Sequence, residues 1–400
     1  MQERPILIVG AGPVGLSLAL ALAQRGIPVQ VYETLPELSD EARASTFHAS
    51  TLELFDTLGM ADELIAHGFV IDHLQYWERE TRQLVAEFDY RVLANDTRFP
   101  FRLQCPQNIL TRILKPHLEA VPYAKVFMEH TFVGYEDCGD HILATFNTTD
   151  GQITVEGAYL CGADGSKSAV REALQVDFDG MTYEDRFLLV VTDADLDGLY
   201  PNMTAASYIF DPQEWVIILH LPDVTRIVFR LRDDEDRDSV LQSDALRQRI
   251  SQFVGLPLNI AIKAASIYAV HQRVADQFRV DRVLLLGDAA HINNPMGGMG
   301  MNSGIHDAFM LANALESACR TGDDCALDDY AKERRAYALN SIRTFTHKNY
   351  HDMAATQDEV RQQRNDEFRA IAADPEKMRQ HLLKASMFDS VQPARKIQPS

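Results

Sequence analysis

Three glycine-centred segments, far apart and in a fixed order, hold the residues best suited to chemistry. The first is Gly10-Ala11-Gly12-Pro13-Val14-Gly15, and the second is Gly162-Ala163-Asp164-Gly165. The third is Gly287-Asp288-Ala289-Ala290-His291, followed by Pro295-Met296-Gly297-Gly298-Met299-Gly300-Met301-Asn302. Glycine lets backbone approach a phosphate or a planar ring, and carboxylates accept hydrogen bonds from sugar hydroxyls. Each segment alone is a weak signal. Together, in this order, they describe one groove for a dinucleotide with a reactive ring, and that ring reads as a flavin.

The flanking sequence supplies elements that would position these residues. Ile6-Leu7-Ile8-Val9 is a short apolar run, as expected of a strand buried on both faces. A helix over Leu16 to Arg25 follows, stopped by Gly26. Gly10 permits the tight turn, Gly12 admits a diphosphate, and Gly15 lets helix pack on strand. The helix N-terminus offers free N–H groups and partial positive charge. A second strand, Pro28 to Tyr32, ends at Glu33, 18 positions after Gly15. An acid at that distance suits a ribose hydroxyl, so an intact ribose is expected. Thr154 to Cys161 and Val283 to Leu286 read as strands entering the second and third segments, so Asp288 stands at a strand end. Met301 to Ala314 reads as a helix. N–H groups at Gly300 to Asn302 would face the N1–C2 edge of a reduced flavin, where negative charge collects.

At this point the chain resembles the class A flavoprotein monooxygenases, of the para-hydroxybenzoate hydroxylase type, over nearly its whole length. The resemblance rests on the Gly10-to-Gly15 loop, Glu33, Arg43 ahead of the Thr51-Leu52-Glu53-Leu54 helix, and Gln107 ahead of a Leu-rich helix. It continues through Gly162 to Gly165 with Ser168 and Arg171, then through Gly287 to His291 and Pro295 to Asn302. It implies tightly but non-covalently bound FAD, with NADH or NADPH as a transient co-substrate in a surface groove. It implies hydroxylation of a small aromatic or N-heteroaromatic substrate by O2 through a flavin C4a-hydroperoxide. By the same resemblance Asp288 holds the ribityl chain, and Arg43 and Gln107 contact the diphosphate and ribityl region. Asp164 serves both FAD and the pyridine nucleotide. Pro295 lies beside the isoalloxazine ring, and Met301 and Asn302 meet its pyrimidine edge. Pro13, Val14, Gly287 and Gly298 complete the expected cofactor contacts.

Several positions depart from the family pattern. Met299 stands where many members have Gln, and Met310 where many have Asn. Asn294-Pro295 replaces a frequent pair of prolines. These changes bear on substrate geometry. The strand-like segment Trp215 to Leu221 lacks the arginine that holds the carboxylate in para-hydroxybenzoate hydroxylases, which disfavours that substrate. Arg226 and Arg230, on one face of the next strand, are alternative holders of an anion, or simply an outward face. His48 and His220 are the candidate bases for a phenol, or merely hydrogen-bonded histidines. His291 reads as support for its loop. Rival readings on the same fold are a double-bond reductase or an epoxidase. A further rival is a non-catalytic flavin-binding redox sensor. Halogenation is disfavoured because the first lysine is Lys115.

The expected fold class is α/β, with a Rossmann-like FAD-binding domain, an inserted mixed-sheet substrate domain and C-terminal helices. The FAD-binding domain takes residues 1–70, 101–175 and 272–325. The substrate domain takes 71–100 and 176–271. A helical segment follows over 326–390, and then a flexible tail over 391–400. Strands are expected at Tyr76 to Trp77, Leu84 to Phe88, Ser207 to Phe210, Trp215 to Leu221 and Arg226 to Leu231. Helices are expected over Tyr330 to His347, Asp358 to Ala372 and Pro375 to Phe388.

A formal charge of -20 over 400 residues leaves no basic face for nucleic acid and argues against anionic membranes. The five cysteines lack metal spacing and read as reduced thiols in a cytoplasmic protein. No metal site, signal peptide or membrane span is expected, and a homodimer stays open. No Cys-x-x-x-x-Cys pair of a disulfide reductase is present.

Overall fold

In the computed structural model, Ile6–Val9 lies inside a six-stranded sheet. The described residues are 4–41, 44–193, 196, 200, 202–232, 234–255 and 260–395. The sheet order is Arg279–Val280, Val283–Leu285, Tyr159–Gly162, Ile6–Val9, Val29–Tyr32 and Ala124–Phe127. All pairs are parallel except the first. Helices cover this sheet, which is why its central strands Ile6–Val9, Tyr159–Gly162 and Val283–Leu285 are buried at every position rather than alternately. Val9 pairs with Gly162, and Gly162 pairs with Leu285. The three glycine segments therefore leave the sheet at one common edge.

The helix Pro13–Ala23 starts with proline in its first turn, where no N–H is needed. Met299–Thr321 packs against it and runs longer at both ends than the apolar pattern predicted. The expected strand Thr154 to Cys161 is two strands. Gly151–Gly157 belongs to a separate antiparallel sheet with Ile142–Thr148 and Thr131–Asp137. Tyr159–Gly162 joins the parallel sheet. The change occurs at Gly157, where a Cβ would come within 2.4 Å of the Leu7 side chain.

A second, eight-stranded sheet runs in the order His291–Ile292, Ile262–Ala275, Phe178–Thr192, Thr225–Arg230, Val216–His220, Ala206–Phe210, His73–Glu78 and Leu84–Asp89. All five strands expected for the substrate lobe lie in it. The long pair Phe178–Thr192 and Ile262–Ala275 was not foreseen. It carries the sheet past residue 271, and His291–Ile292 pairs with Arg273 and Val274. The expected boundary at 271/272 thus falls inside a strand.

A small sheet of Thr46–Phe47, Arg102–Gln104 and Phe69–Ile71 lies in the first lobe. After the Cys325–Tyr337 helix the chain makes a π-helical turn over Ala338–Ile342. Helices Arg343–Met353, Asp358–Ala372, Pro375–Ala385 and Phe388–Arg395 follow. The last corrects the expected tail. Val391 is buried and the Ser390 hydroxyl accepts from Arg334, so the chain is anchored there. Residues 396–400 lie outside the described residues. No helix among the described residues is long and apolar enough to cross a membrane.

Candidate active site

The three glycine segments meet around the first turn of Pro13–Ala23. Gly10 has φ +104°, and a Cβ there would come within 2.5 Å of the Ala163 carbonyl oxygen. A Cβ on Gly15 would reach 2.0 Å from the Gly10 carbonyl oxygen. Val14 touches Gly287, and a Cβ on Gly304 would meet both. The Arg171 guanidinium ties the second segment to the third, donating to the Ala289 carbonyl at 2.9 Å and to Ser166 at 2.8 Å. Ser168 caps the helix that carries Arg171.

Other glycines in the same segments border open space. A Cβ on Gly12, Gly165 or Gly300 would meet nothing within 4 Å. Gly12 and Gly298 are the N-caps of their helices and neither end has a side-chain cap. The first-turn N–H groups, at Val14 and Gly15 in one helix and Met299 to Met301 in the other, therefore precede the i→i−4 ladder. Asp164 Oδ2 accepts from the Val170 N–H, but its buried Oδ1 has no partner. Burial raises that carboxyl above its usual range. Glu33 accepts from Ala11 at 2.8 Å and Leu35 at 3.1 Å, one bond per oxygen, so lone pairs remain for a ribose. Asp288 is exposed in the 3-10 turn Gly287–Ala289 that follows the strand Val283–Leu285. Glycine openings, free helix N-termini and an orphaned acid fit a dinucleotide such as FAD. Among the described residues no cluster of three metal-ligating side chains occurs.

Gln107 holds the loop that precedes Thr46. Its Nε2 donates to the Glu41 carbonyl and its N–H to the Ala44 carbonyl. Arg43, in that loop, lies outside the described residues. Met301 is half-buried against the main core. The Asn302 side chain is committed within the protein, which leaves its backbone for the expected pyrimidine contact. Its Oδ1 accepts from the His48 N–H at 3.0 Å and the Thr51 hydroxyl at 2.7 Å. Its Nδ2 donates to the Thr46 and Gly298 carbonyls at 2.8 and 2.7 Å. That side chain is a clamp between two helices, with no group left for a ligand.

His291 supports the third segment from below. Its Nε2 meets Asp307 Oδ2 at 2.8 Å, and the Gly287 N–H donates to the same oxygen at 3.0 Å. Arg334 donates to Asp307 Oδ1 at 2.5 Å. Burial would raise the Asp307 carboxyl, but the Arg334 charge and His291 outweigh it and hold it at about 2.

Beside the Met296–Gly297 turn lies a pocket. Tyr76, Tyr208 and Phe210 of the eight-stranded sheet form one wall, and Phe368 and His381 of the C-terminal helices form another. Tyr76 stacks on Tyr208 at 5.3 Å and meets Phe368 at 4.7 Å. Arg102, from the small sheet, completes the lining. None of these six was singled out as a site residue from the sequence. The one signal was an arginine within Phe99-Pro100-Phe101-Arg102-Leu103. Pro295 is exposed, and its carbonyl accepts the Gly298 N–H at 3.0 Å, while the next two residues line the pocket.

The two candidate bases do not hold. His48 is fully buried, and its Nε2 meets the Gly297 carbonyl at 2.9 Å. Burial, then the charge of Arg102, lowers it to about 3, too weak for a base near neutrality. His220 ends its strand, with Nδ1 3.4 Å from the Thr225 hydroxyl, and is not in the pocket lining. Arg226 and Arg230 are also outside it, and Arg230 pairs with Asp185 at 2.6 Å.

Known proteins give the same picture. The family model described as "FAD binding domain" matches residues 3–344. The para-nitrophenol 4-monooxygenase of Pseudomonas sp. (strain WBC-3) is 30% identical over 385 residues, covering 94% of each chain. The 6-hydroxy-3-succinoylpyridine 3-monooxygenase HspB of Pseudomonas putida (strain DSM 28022 / S16) is 34% identical, covering 84% of this chain and 85% of that one. The crystal structure of p-nitrophenol 4-monooxygenase PnpA from Pseudomonas putida DLL-E4 superposes with a TM-score of 0.90. It is 27% identical and covers 97% of this chain and 98% of its own. With the family match, the relatives and the groove in agreement, this chain belongs to the FAD binding domain family, among the FAD-dependent aromatic monooxygenases.

Proposed function

We propose that this protein is an FAD-dependent monooxygenase that uses NADH or NADPH and O2 to hydroxylate a small aromatic or N-heteroaromatic ring. The balance is one ring C–H, O2, NAD(P)H and a proton giving the phenol, water and NAD(P)+. The observation that carries it is the Met296–Gly297 turn. It belongs to the third glycine segment and also lines an aromatic pocket. A dinucleotide groove and a pocket lined by aromatic rings thus share one wall.

Bound in this groove, FAD would supply the redox chemistry, hydride acceptance from the nicotinamide and activation of O2. Gly12 and the N-terminus of Pro13–Ala23 would take its diphosphate, Glu33 the ribose, and Asp288 the ribityl chain. Arg43 and Gln107 would stand beside that chain. N–H groups at Met299 to Met301 would offset negative charge on the ring edge. On the substrate side, Tyr76, Tyr208, Phe210 and Phe368 hold the ring by its faces. The C-terminal helices close the slot and exclude water, which protects reactive oxygen from unproductive loss. His48 fixes the Gly297 carbonyl and moves no proton.

The test is NAD(P)H oxidation by the flavin-loaded protein, with and without a panel of phenols and heteroaromatic acids. Stimulation matched by a hydroxylated product is expected. A slow rate indifferent to every ring would return the reading to a reductase or a redox sensor.

A further inference from the structure

The pocket wall holds one arginine that tyrosines surround and that no carboxylate pairs with among the described residues. Arg102 is 5% exposed, and its guanidinium lies over the Tyr90 ring at 5.3 Å. Its Nε has no hydrogen-bond partner, and among the described residues no carboxylate pairs with it. Two other deeply buried arginines do have carboxylate partners. Arg334 pairs with Asp307 at 2.5 Å, and Arg364 with Glu78 at 2.8 Å. Asp352, the one carboxylate in the pocket lining, is already paired with Lys348 at 2.9 Å. An unpaired buried cation is strongly unfavourable, and an anion arriving with the ligand would relieve it.

We propose that Arg102 is the anion-binding residue of the pocket: the substrate ring enters bearing an ionised oxygen, phenolate or carboxylate, which pairs with this guanidinium. Calling the ligand a substrate rests on the monooxygenase reading, but the anion site does not. The groups facing Arg102 suit this role. Tyr76 stays protonated because burial raises it, so its hydroxyl is a donor to an anion. Tyr90 and Tyr208 are its other phenolic neighbours. Burial, then Arg102, lowers His48 to about 3 and His381 to about 4, so neither adds charge at neutral pH. Arg102 is thus the cation of this lining, with phenol hydroxyls and no carboxylate against it. An ionised oxygen also enriches the ring in electrons, which favours attack on an electrophilic oxygen. A phenol that binds as its anion has already released its proton, and no histidine base is then required.

The test uses flavin-loaded protein and three probes: 4-nitrophenol, benzoate and the neutral nitrobenzene. Binding is followed by perturbation of the flavin spectrum. Ionisation of bound 4-nitrophenol is followed by its visible anion band across pH. The anions should bind about 30-fold or more tighter than nitrobenzene. Bound 4-nitrophenol should stay ionised about one pH unit or more below the point at which it ionises in water. Arg102→Met should erase both the preference and the shift, and Arg102→Lys should keep part of each. Should Arg102→Met fail to fold, the wild-type comparison decides alone. Nitrobenzene binding as well as the anions, no binding of either anion, or an unchanged preference in a folded Arg102→Met would overturn the proposal. NAD(P)H oxidation is measured separately. Anion binding without stimulated turnover would sink the monooxygenase reading and leave the anion site, whereas turnover of neutral rings alone would do the reverse.

Discussion

The groove and the pocket share one turn of chain but are built from different material. The groove is backbone: glycines, helix N-termini and a few carboxylates from segments that leave neighbouring strands of one sheet. The pocket is side chain: tyrosines of the second sheet, an arginine of a three-residue strand, and a phenylalanine and histidine of the last helices. A backbone site has few degrees of freedom, so its sequence requirements are strict and local. A side-chain site can be assembled from any residues that the fold brings together. The contrast implies that the two sites fail differently when altered.

The largest effect should come within the groove. Gly12→Val places a side chain in open space at φ -75°, a conformation any residue adopts. The folded apoprotein should change by less than about 0.5 kcal/mol, as a surface substitution does. Flavin binding should be lost, because this is the space proposed for the diphosphate. Gly15→Val should instead fail to fold, because its Cβ would overlap the Gly10 carbonyl. Flavin content and circular dichroism of the two variants distinguish them. A yellow Gly12→Val protein would break the assignment of that space.

The same contrast explains what the sequence revealed. Gly10 to Gly15, Glu33, Asp164 and Asp288 were legible because their spacing follows from a strand, a turn and a helix in succession. Five of the eight strands of the second sheet were legible from the sequence. The strand pair Phe178–Thr192 and Ile262–Ala275 was not, since much of both is exposed and mixed in polarity. Arg102, Tyr208 and His381 were invisible for a different reason. Each lies in an unremarkable local pattern, and only contacts across more than a hundred residues give it a role. Asn302 was legible as a position expected near the ring and His48 as one near a pocket, but the sequence could not show that the Asn302 amide and His48 Nε2 already have partners within the protein.

The division into backbone groove and side-chain pocket is weakest at Gly287. Its N–H is held by Asp307, which is fully buried between Arg334 and His291. Part of the groove therefore rests on a buried ionic cluster. Arg334→Met removes one partner and leaves the Asp307 charge uncompensated. Unfolding stability should fall by about 3–5 kcal/mol, measured by urea denaturation. Flavin content should fall as well, because the Gly287 turn loosens. A loss below about 1 kcal/mol would show that the cluster does not hold the turn, and the division would then stand without exception.

His48 sits where the two regions join, and its smaller effect sharpens the boundary. Its Nε2 is committed to the Gly297 carbonyl, and its buried Nδ1 has no partner. Protonation would create an unsatisfied donor beside Arg102, so the folded value is lowered to about 3. In the unfolded chain the imidazole titrates near 6.5. The stability of the neutral form is full above that value. As pH falls from about 6.5 towards 3, the unfolded state takes up the proton and the folded state does not. This one residue should then remove about 1.4 kcal/mol of stability per pH unit. Asp307, lowered to about 2, contributes only further down, as pH falls from about 4 towards 2. Urea midpoints at several values between pH 4.5 and 6.5 therefore report the buried histidines, with Asp164, raised by burial, acting in the opposite sense. His48→Gln, whose amide can still donate to Gly297, should flatten the slope by about that amount while His306 and His381, both lowered by burial, keep a remainder. Equal slopes in the two proteins would mean that His48 accepts its proton while folded. It would then regain its place as a candidate base in the pocket.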